Sequence, residues 1–366
     1  MGAEVRAAVA EVLDSQQLVL GPHVEAFEGA MAAYCGVAHA VGVNSGTDAL
    51  ALALSALGVG PGTRVLTTPF SFFATASTIV RLGARPVFAD IDPLTLNLDP
   101  EAAADALARA KGDVAGMVVV HLFGRLADVS GLQAVAERHG LWMLEDAAQA
   151  AGARAAGRCA GAFGRAGAVS FYPTKNLGGI GDGGMVLTGD PELAARVRRD
   201  RAHGLVAANL HEALGLCSRL DAVNAAALRA KLPHLDGWNE RRRTVAGWYA
   251  ARFRARALAG RPHAPVVLPP PADARHVHHV YTVRVRARDA LVRHLSSAGI
   301  GTQVYYRLPL HRQAPLAACG EVPAGAPEAE RAAADVLALP MFPQLAEEDV
   351  VRVVDAVAAF YRDHAD

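Results

Sequence analysis

An α/β fold is predicted, with a mostly parallel sheet flanked by helices and a smaller α+β unit after it. Three observations lead there. Short apolar strands alternate with helices of about ten residues as far as residue 245, the pattern of βαβ units and a parallel sheet. The chain has 366 residues, more than one ordinary domain of ~150. A proline-rich stretch, 261–273, separates the alternating part from a last group of strands and helices. The division read from this is a large domain over 1–245 and a small one over 246–366.

The elements follow in order. Apolar residues recur at helical spacing over 5–15 and 24–34, where Val24, Phe27, Met31 and Tyr34 share a face. Strand and helix then alternate: strands at 38–43, 64–68, 86–90, 117–121 and 141–145, helices at 49–57, 75–82, 100–109 and 129–139. A strand at 166–171 leads into a glycine-dense run, 175–184, and a strand at 185–188. Helices are predicted at 191–201 and 221–254. Beyond the proline-rich join, 280–286 and 301–305 read as strands, and 290–298 and 347–362 as helices.

Composition excludes several classes. Lys+Arg and Asp+Glu are each 36, so the formal net charge is zero. A nucleic-acid protein would show a basic excess, and a polybasic membrane-surface protein would too. Cys35, Cys159, Cys217 and Cys319 are scattered, with no C-x-x-C pair. A disulfide framework and a structural zinc are not expected, and a reducing cytoplasm is. The N-terminus has no apolar core of a secretory leader, and no apolar run approaches the ~18 residues of a membrane span. A chain this size buries about three quarters of its unfolded surface and needs no covalent staple.

Lysine occurs only at 111, 175 and 231; the remaining 33 of 36 basic residues are Arg. Chemistry that needs a primary amine therefore has three possible sites. Lys111 stands at a helix C-terminus beside a glycine, where a solvated cation complements the helix dipole. Lys231 lies in an amphipathic helix and is expected at the surface. Lys175 follows a strand and precedes a glycine-rich turn, so small residues leave room for a planar ligand. An amine near apolar walls loses its proton more easily and can form a Schiff base.

Two other sites complete a pattern. In Asn44-Ser-Gly-Thr-Asp-Ala-Leu50 a strand ends and a helix begins, and a helix N-terminus offers unpaired N–H groups to a phosphate. Taken alone it is equally an ordinary capped turn. No Walker loop and no G-x-G-x-x-G is present. In Leu144-Glu-Asp-Ala-Ala-Gln149, Asp146 stands at the carboxyl end of an apolar strand, where open parallel sheets bind ligands. A buried Asp there needs a cationic or N–H partner; alone, it reads as a helix cap. Together, a phosphate turn, an acid able to pair a pyridinium and a Schiff-base lysine 29 positions later are what pyridoxal 5'-phosphate requires.

The chain resembles the DegT/StrS family of sugar aminotransferases, which have the fold-type I, aspartate-aminotransferase-like architecture. The resemblance rests on Leu20-Gly-Pro-His-Val-Glu-Ala-Phe-Glu28, Asn44–Leu50, Asp90-Ile-Asp-Pro93, His121-Leu-Phe-Gly-Arg125 and Glu145–Gln149. It continues through Ser170-Phe-Tyr-Pro-Thr-Lys-Asn-Leu-Gly178, Gly181-Asp-Gly-Gly184, Ser218-Arg-Leu-Asp221 and Pro309-Leu-His311. By that resemblance Lys175 holds the cofactor and shuttles the proton. Asp146 pairs the pyridinium and Gln149 contacts the ring hydroxyl. Gly46, Thr47 and Ser170 hold the phosphate, and Phe72 stacks on the ring; without the motif Phe72 reads as core. Arg219, Tyr305, Tyr306 and His311 are candidates for the substrate, with packing as their alternative and, for Arg219, an ion pair with Asp221.

The implied reaction moves an amino group from L-glutamate to C3 or C4 of a nucleotide-linked keto-deoxysugar, with dTDP as the nucleotide, toward a secondary metabolite. A homodimer with active sites at the subunit interface is also implied. Cyclitol aminotransferases, sugar dehydratases and non-catalytic cofactor-binding regulators of the same fold are the alternatives. The dehydratases typically carry His where this chain has Lys175. Two positions depart from the family. Cys217 stands where Asn commonly reaches the partner's phosphate, and Asn224 where Gln is frequent, so that contact passes to Ser218, Asn224 or water. The short strand that usually precedes the first helix is also missing, which implies a shortened start.

Overall fold

The computed structural model describes residues 2–364. Strands β1 (His39–Val43), β2 (Arg64–Thr67), β3 (Arg85–Phe88), β4 (Gly116–Val120) and β5 (Trp142–Asp146) come first. A small hairpin follows, β6 (Arg154–Ala155) and β7 (Arg158–Cys159), and then β8 (Ala166–Ser170) and β9 (Gly184–Thr188). The seven-stranded sheet has the order β1-β9-β8-β5-β4-β2-β3. From β8 to β3 every neighbour is parallel; β9 alone runs antiparallel, to both β8 and β1.

Helices cover both faces: α1 (Ala3–Ser15), α2 (Pro22–Cys35), α3 (Gly46–Ala56), α4 (Ala74–Arg81), α5 (Pro100–Arg109), α6 (Val129–His139) and α7 (Pro191–Asp200). Alternation along a strand assigns the faces. Val118 and Leu144 pack with α3, whereas Met117, Val119 and Met143 pack with α5 and α6. Strands covered on both faces read as unbroken apolar runs, and β4, β8 and β9 are buried throughout. On the third side Phe27 of α2 meets Phe171 edge to face, centroids 5.3 Å apart. Both are fully buried, contributing about 2–3 kcal/mol each. Helix starts are encoded locally. Asp99 and Asp190 accept the N–H groups of the residues two and three positions on, each ahead of a first-turn proline, a cap of about 1 kcal/mol.

The stretch 221–254 is not one helix. It divides into α8 (Ala222–Lys231) and α9 (Leu235–Ala255) across the 3-10 turn Leu232–His234. Pro233 lacks an N–H and crowds the preceding turn, so the α-helix cannot run through. Residue 245 lies inside α9. From Val245 onward the buried face of α9 (Val245, Ala246, Tyr249, Phe253) joins the C-terminal core.

That core is built on a second sheet. A hairpin, β10 (Leu205–Ala207) and β11 (Leu210–His211), precedes α8 in the chain and belongs to neither sheet. The second sheet comprises β12 (Val266–Val267), β13 (Tyr281–Val285) and β14 (Val336–Leu339), in that order and antiparallel. Around it stand α10 (Arg288–Ser297), α12 (Pro327–Asp335) and α13 (Glu347–Asp363), while the short α11 (Ala314–Ala317) packs Leu316 against Ala76 of α4 and Phe88 of β3. The proline-rich join therefore contributes an edge strand. The predicted strand at 301–305 is replaced by a single bridge, Gln303 to Ala338. The chain leaves the sheet there because Tyr305 and Tyr306 turn into the cavity described next. Among the described residues no helix is long and apolar enough to cross a membrane.

Candidate active site

Carboxyl ends of β1, β4, β5 and β8 open into one cavity of about 740 Å³. At its floor β1 passes into α3. Ser45 Oγ accepts the Asp48 N–H at 3.1 Å and caps the helix. Ser218 Oγ donates to Asp48 Oδ2 at 2.7 Å and accepts from Asn44 N at 3.2 Å, which locks the turn. The N–H groups of Gly46 and Thr47 belong to the first turn, which makes no intrahelical bonds. Gly46 must be glycine, because a Cβ there would stand 2.7 Å from Ser170 Cβ and 3.3 Å from Ser170 Cα. The helix start thus lies directly against the end of β8, and Gly46, Thr47 and Ser170 line one corner. Free N–H groups, a hydroxyl and the positive end of a helix suit a phosphate.

Asp146 ends β5 and is 6% exposed. Thr75 Oγ1 donates to its Oδ2 at 2.7 Å, and Ala148 N donates to Oδ1 at 3.2 Å. Burial pushes its carboxyl above the usual range; Thr75, Ala148, Lys175 and His121 pull it back. Lys175 lies on the cavity wall beyond Tyr172, whose carbonyl accepts the Lys175 N–H at 2.8 Å. Burial lowers its ammonium from 10.5 to about 8, and Asp146 opposes that shift. An amine poised near neutrality has an appreciable free-base fraction, which a carbon–nitrogen condensation requires.

Gln149 is held at both ends of its amide. Its Oε1 accepts from Phe123 N at 2.6 Å, and its Nε2 donates to Tyr306 Oη at 3.2 Å. Burial raises the Tyr306 phenol, so it stays protonated. Behind Asp146, the neighbouring Glu145 and His121 are both fully buried and meet at 2.7 Å. Ala127 N donates to His121 Nδ1, so Nε2 carries the proton and gives it to Glu145. Glu145 also accepts the N–H groups of Gly161 and Gly164 at 2.7 Å. This network ties the ends of β4 and β5 to the loop before β8.

Phe72 lines the cavity at 57% exposure, so it is not core. Tyr305 and Tyr306 line it as well. Two predicted substrate residues do not. His311 pairs with Glu330 at 3.1 Å and faces Phe88, because the turn of Leu310–Arg312 aims it away. Arg219 reaches Cys217 Sγ at 3.1 Å, rather than the cavity or Asp221. Ser218 and Asn224 are engaged within this chain. Ser218 holds the Asp48 turn, and Asn224 binds Ile180 N at 3.0 Å and the Asp182 carbonyl at 2.7 Å. Lys231 is a further correction. It is partly buried, and its Nζ donates to the Gly178 carbonyl at 2.6 Å, pinning the turn after Lys175.

Sequence reasoning missed Ser71, Thr75, Tyr172, His279 and Gln313, all but Thr75 on the cavity wall. Tyr172 stood inside the run Ser170–Gly178 already singled out, and Ser71 and Thr75 stand within three positions of Phe72. His279 and Gln313 arrive from the C-terminal part, where no local signal marked them. His279 has a buried Nδ1 without a partner, and burial holds it far below its usual pKa, hence neutral.

A phosphate corner without room for a Cβ, a buried carboxylate and a facing amine fit pyridoxal phosphate. They define a fold-type I aminotransferase dependent on that cofactor. Residues 1–358 match the model of the DegT/DnrJ/EryC1/StrS aminotransferase family, and the chain belongs to that family. It is 47% identical over 363 residues to a pleiotropic regulatory protein of Geobacillus stearothermophilus, covering 99% of this chain and 95% of that one. It is 46% identical over 362 residues to a dTDP-3-amino-3,4,6-trideoxy-alpha-D-glucose transaminase of Streptomyces venezuelae, covering 97% and 91%. A UDP-N-acetyl-3-dehydro-alpha-D-glucosamine 3-aminotransferase of Acidithiobacillus ferrooxidans is 42% identical, covering 97% and 93%. Among solved structures, S. venezuelae DesV superposes with a TM-score of 0.91 at 44% identity, over 98% of this chain and 94% of that one. Bacillus subtilis NtdA, with bound cofactor PMP, gives a TM-score of 0.87 at 28% identity over 97% and 81%.

Proposed function

We propose that this aminotransferase moves an amino group from L-glutamate to C3 of a dTDP-linked keto-deoxysugar, in the making of a secondary metabolite. The observation that carries the transaminase reading is the meeting of Lys175 and Asp146 in one cavity with the Gly46–Ser170 corner. The choice of C3 and dTDP draws on the S. venezuelae relative, and the A. ferrooxidans relative keeps UDP as the alternative nucleotide.

When bound, the cofactor supplies a carbonyl that condenses with amines and a ring that draws electrons from the reacting carbon. The protein's own groups do the rest. Gly46 and Thr47 N–H and Ser170 Oγ would hold the phosphate. Asp146 would hold a proton at the ring nitrogen, Gln149 would meet the ring hydroxyl, and Phe72 would cover the ring. Lys175 Nζ, largely freed of its solvation shell, accepts the α-proton of the amino donor and later delivers one to the sugar carbon. Tyr305 and Tyr306 lie where the sugar enters.

A second copy of the chain is the partner we assign to the exposed apolar surface: Phe72, Phe73 and Tyr172 at the cavity mouth, and Leu205, Val206, Leu210, Leu214 and Leu216 around the β10–β11 hairpin. The division at residue 245 and a cytoplasmic location, where four free thiols persist, complete the reading. The test is a panel of dTDP-, UDP- and GDP-keto-sugars and keto-inositols with glutamate, scored by product mass. Amination of a dTDP-3-keto-sugar is the expected result. Amination of keto-inositols alone would remove the nucleotide-sugar reading, and a monomer by sedentation-equilibrium centrifugation with full activity would remove the dimer.

A further inference from the structure

Asp146 is almost completely buried, and a carboxylate in that setting tends to take up a proton and become neutral. A neutral acid at that point would not hold a pyridinium. The ring's own charge would favour the anion once bound, and donors in the wall that favour it as well would help to keep the acid ionised. The opposing charges available around it are Lys175 and His121. Lys175 is the amine that reacts, so its charge is not constant through the cycle. His121 has both ring nitrogens engaged elsewhere, Nε2 with Glu145 and Nδ1 with Ala127 N, so it makes no hydrogen bond to Asp146.

Hydroxyls supply what the charges do not. Thr75, in the first turn of α4, is 0% exposed and donates to Asp146 Oδ2 at 2.7 Å. Its own oxygen lies 2.9 Å from Ser71 Oγ, which is 3% exposed. A threonine hydroxyl has one proton. With that proton spent on a carboxylate that can only accept, Ser71 must be the donor in the Ser71–Thr75 bond. With Asp146 ionised, the chain therefore runs from Ser71 to Thr75 to Asp146. Each bond polarises the next, and a hydrogen bond to an ionised acceptor is about twice as strong as a neutral one. The hydroxyls engage Oδ2, which leaves Oδ1, shared only with Ala148 N, as the oxygen free to meet the ring nitrogen.

We propose that Ser71 and Thr75 form a two-hydroxyl relay that keeps Asp146 ionised and turns its free oxygen toward the cofactor ring, with Thr75 the positioning residue. The inference rests on the assignment of Asp146 to the ring nitrogen.

The test uses enzyme reconstituted with cofactor carrying an isotope-labelled ring nitrogen, read by NMR, beside turnover and cofactor affinity. Thr75→Val keeps the volume and removes the donor. Its ring-nitrogen signal shifts toward the unprotonated pyridine value and kcat falls about 10–100-fold, the size of one lost bond to a buried charge, with KM nearly unchanged. Thr75→Ser restores both, which a packing role would not. Should Thr75→Val fail to fold, Ser71→Ala leaves Thr75 in place and gives a smaller shift in the same direction. A wild-type nitrogen signal and turnover within about two-fold in Thr75→Val or, if that variant is lost, in Ser71→Ala overturns the relay. Asp146→Asn separates the two readings. If it leaves the nitrogen signal unchanged, the assignment of Asp146 fails; if it alone moves the signal, only the relay fails.

Discussion

Replacing Lys175 by methionine in the cofactor-free protein should stabilise it near neutral pH. The native ammonium titrates at about 8, against 10.5 unshifted, because burial disfavours its charge. A lowered lysine pKa means the unfolded state binds more protons between those two values. Stability therefore rises with pH across that window, and below it the native state carries the full cost of the charge. That lowering corresponds to about 3 kcal/mol. Lys175 retains some solvent contact, and its removal leaves Asp146 without a nearby cation. Both effects reduce the net gain to roughly 1–2 kcal/mol. With an unfolding entropy of about 2 cal/mol/K per residue, that is only ~1–3 °C in Tm. Differential scanning calorimetry of both apo-proteins, near pH 7 and again near pH 10.5, measures it. The expected result is a higher Tm for Lys175→Met near pH 7 and a difference that disappears near pH 10.5. A variant equally or less stable near pH 7 would refute the claim that Lys175 is held in an environment hostile to its charge.

Three further outcomes follow from the same geometry. Lys175→Ala should fold, lack the absorbance band of the bound cofactor, and yield no borohydride-fixed adduct by mass spectrometry; an adduct at Lys111 or Lys231 would move the site. Asp146→Asn should keep cofactor affinity within about ten-fold and lose at least ~100-fold in turnover, since it removes a charged partner from a buried bond; steady-state kinetics with the pyridoxamine half-reaction isolated would show it. Gly46→Ala should cost about 1–3 kcal/mol by overpacking against Ser170 and weaken cofactor binding further than that cost explains, measured by denaturation of the apo-protein beside cofactor titration.

Much of the architecture was legible in the chain alone, for local reasons. The Asp-Pro-Glu helix starts express contacts made within a few residues, and the strand–helix alternation and the apolar runs of β4 and β8 express which faces are covered, which the residue pattern itself carries. The amine was legible too, since only three lysines exist and just one stands between a strand and a run of glycines. Tertiary structure decided the remainder. Periodicity tells which face of an element is buried but not what it meets, so nothing local brought His279 and Gln313 to Lys175 or turned His311 toward Glu330. The same holds for Lys231, whose partner Gly178 lies 53 positions away. The pKa of Lys175 belongs wholly to the fold, because desolvation is a property of the cavity walls and those come from both ends of the chain.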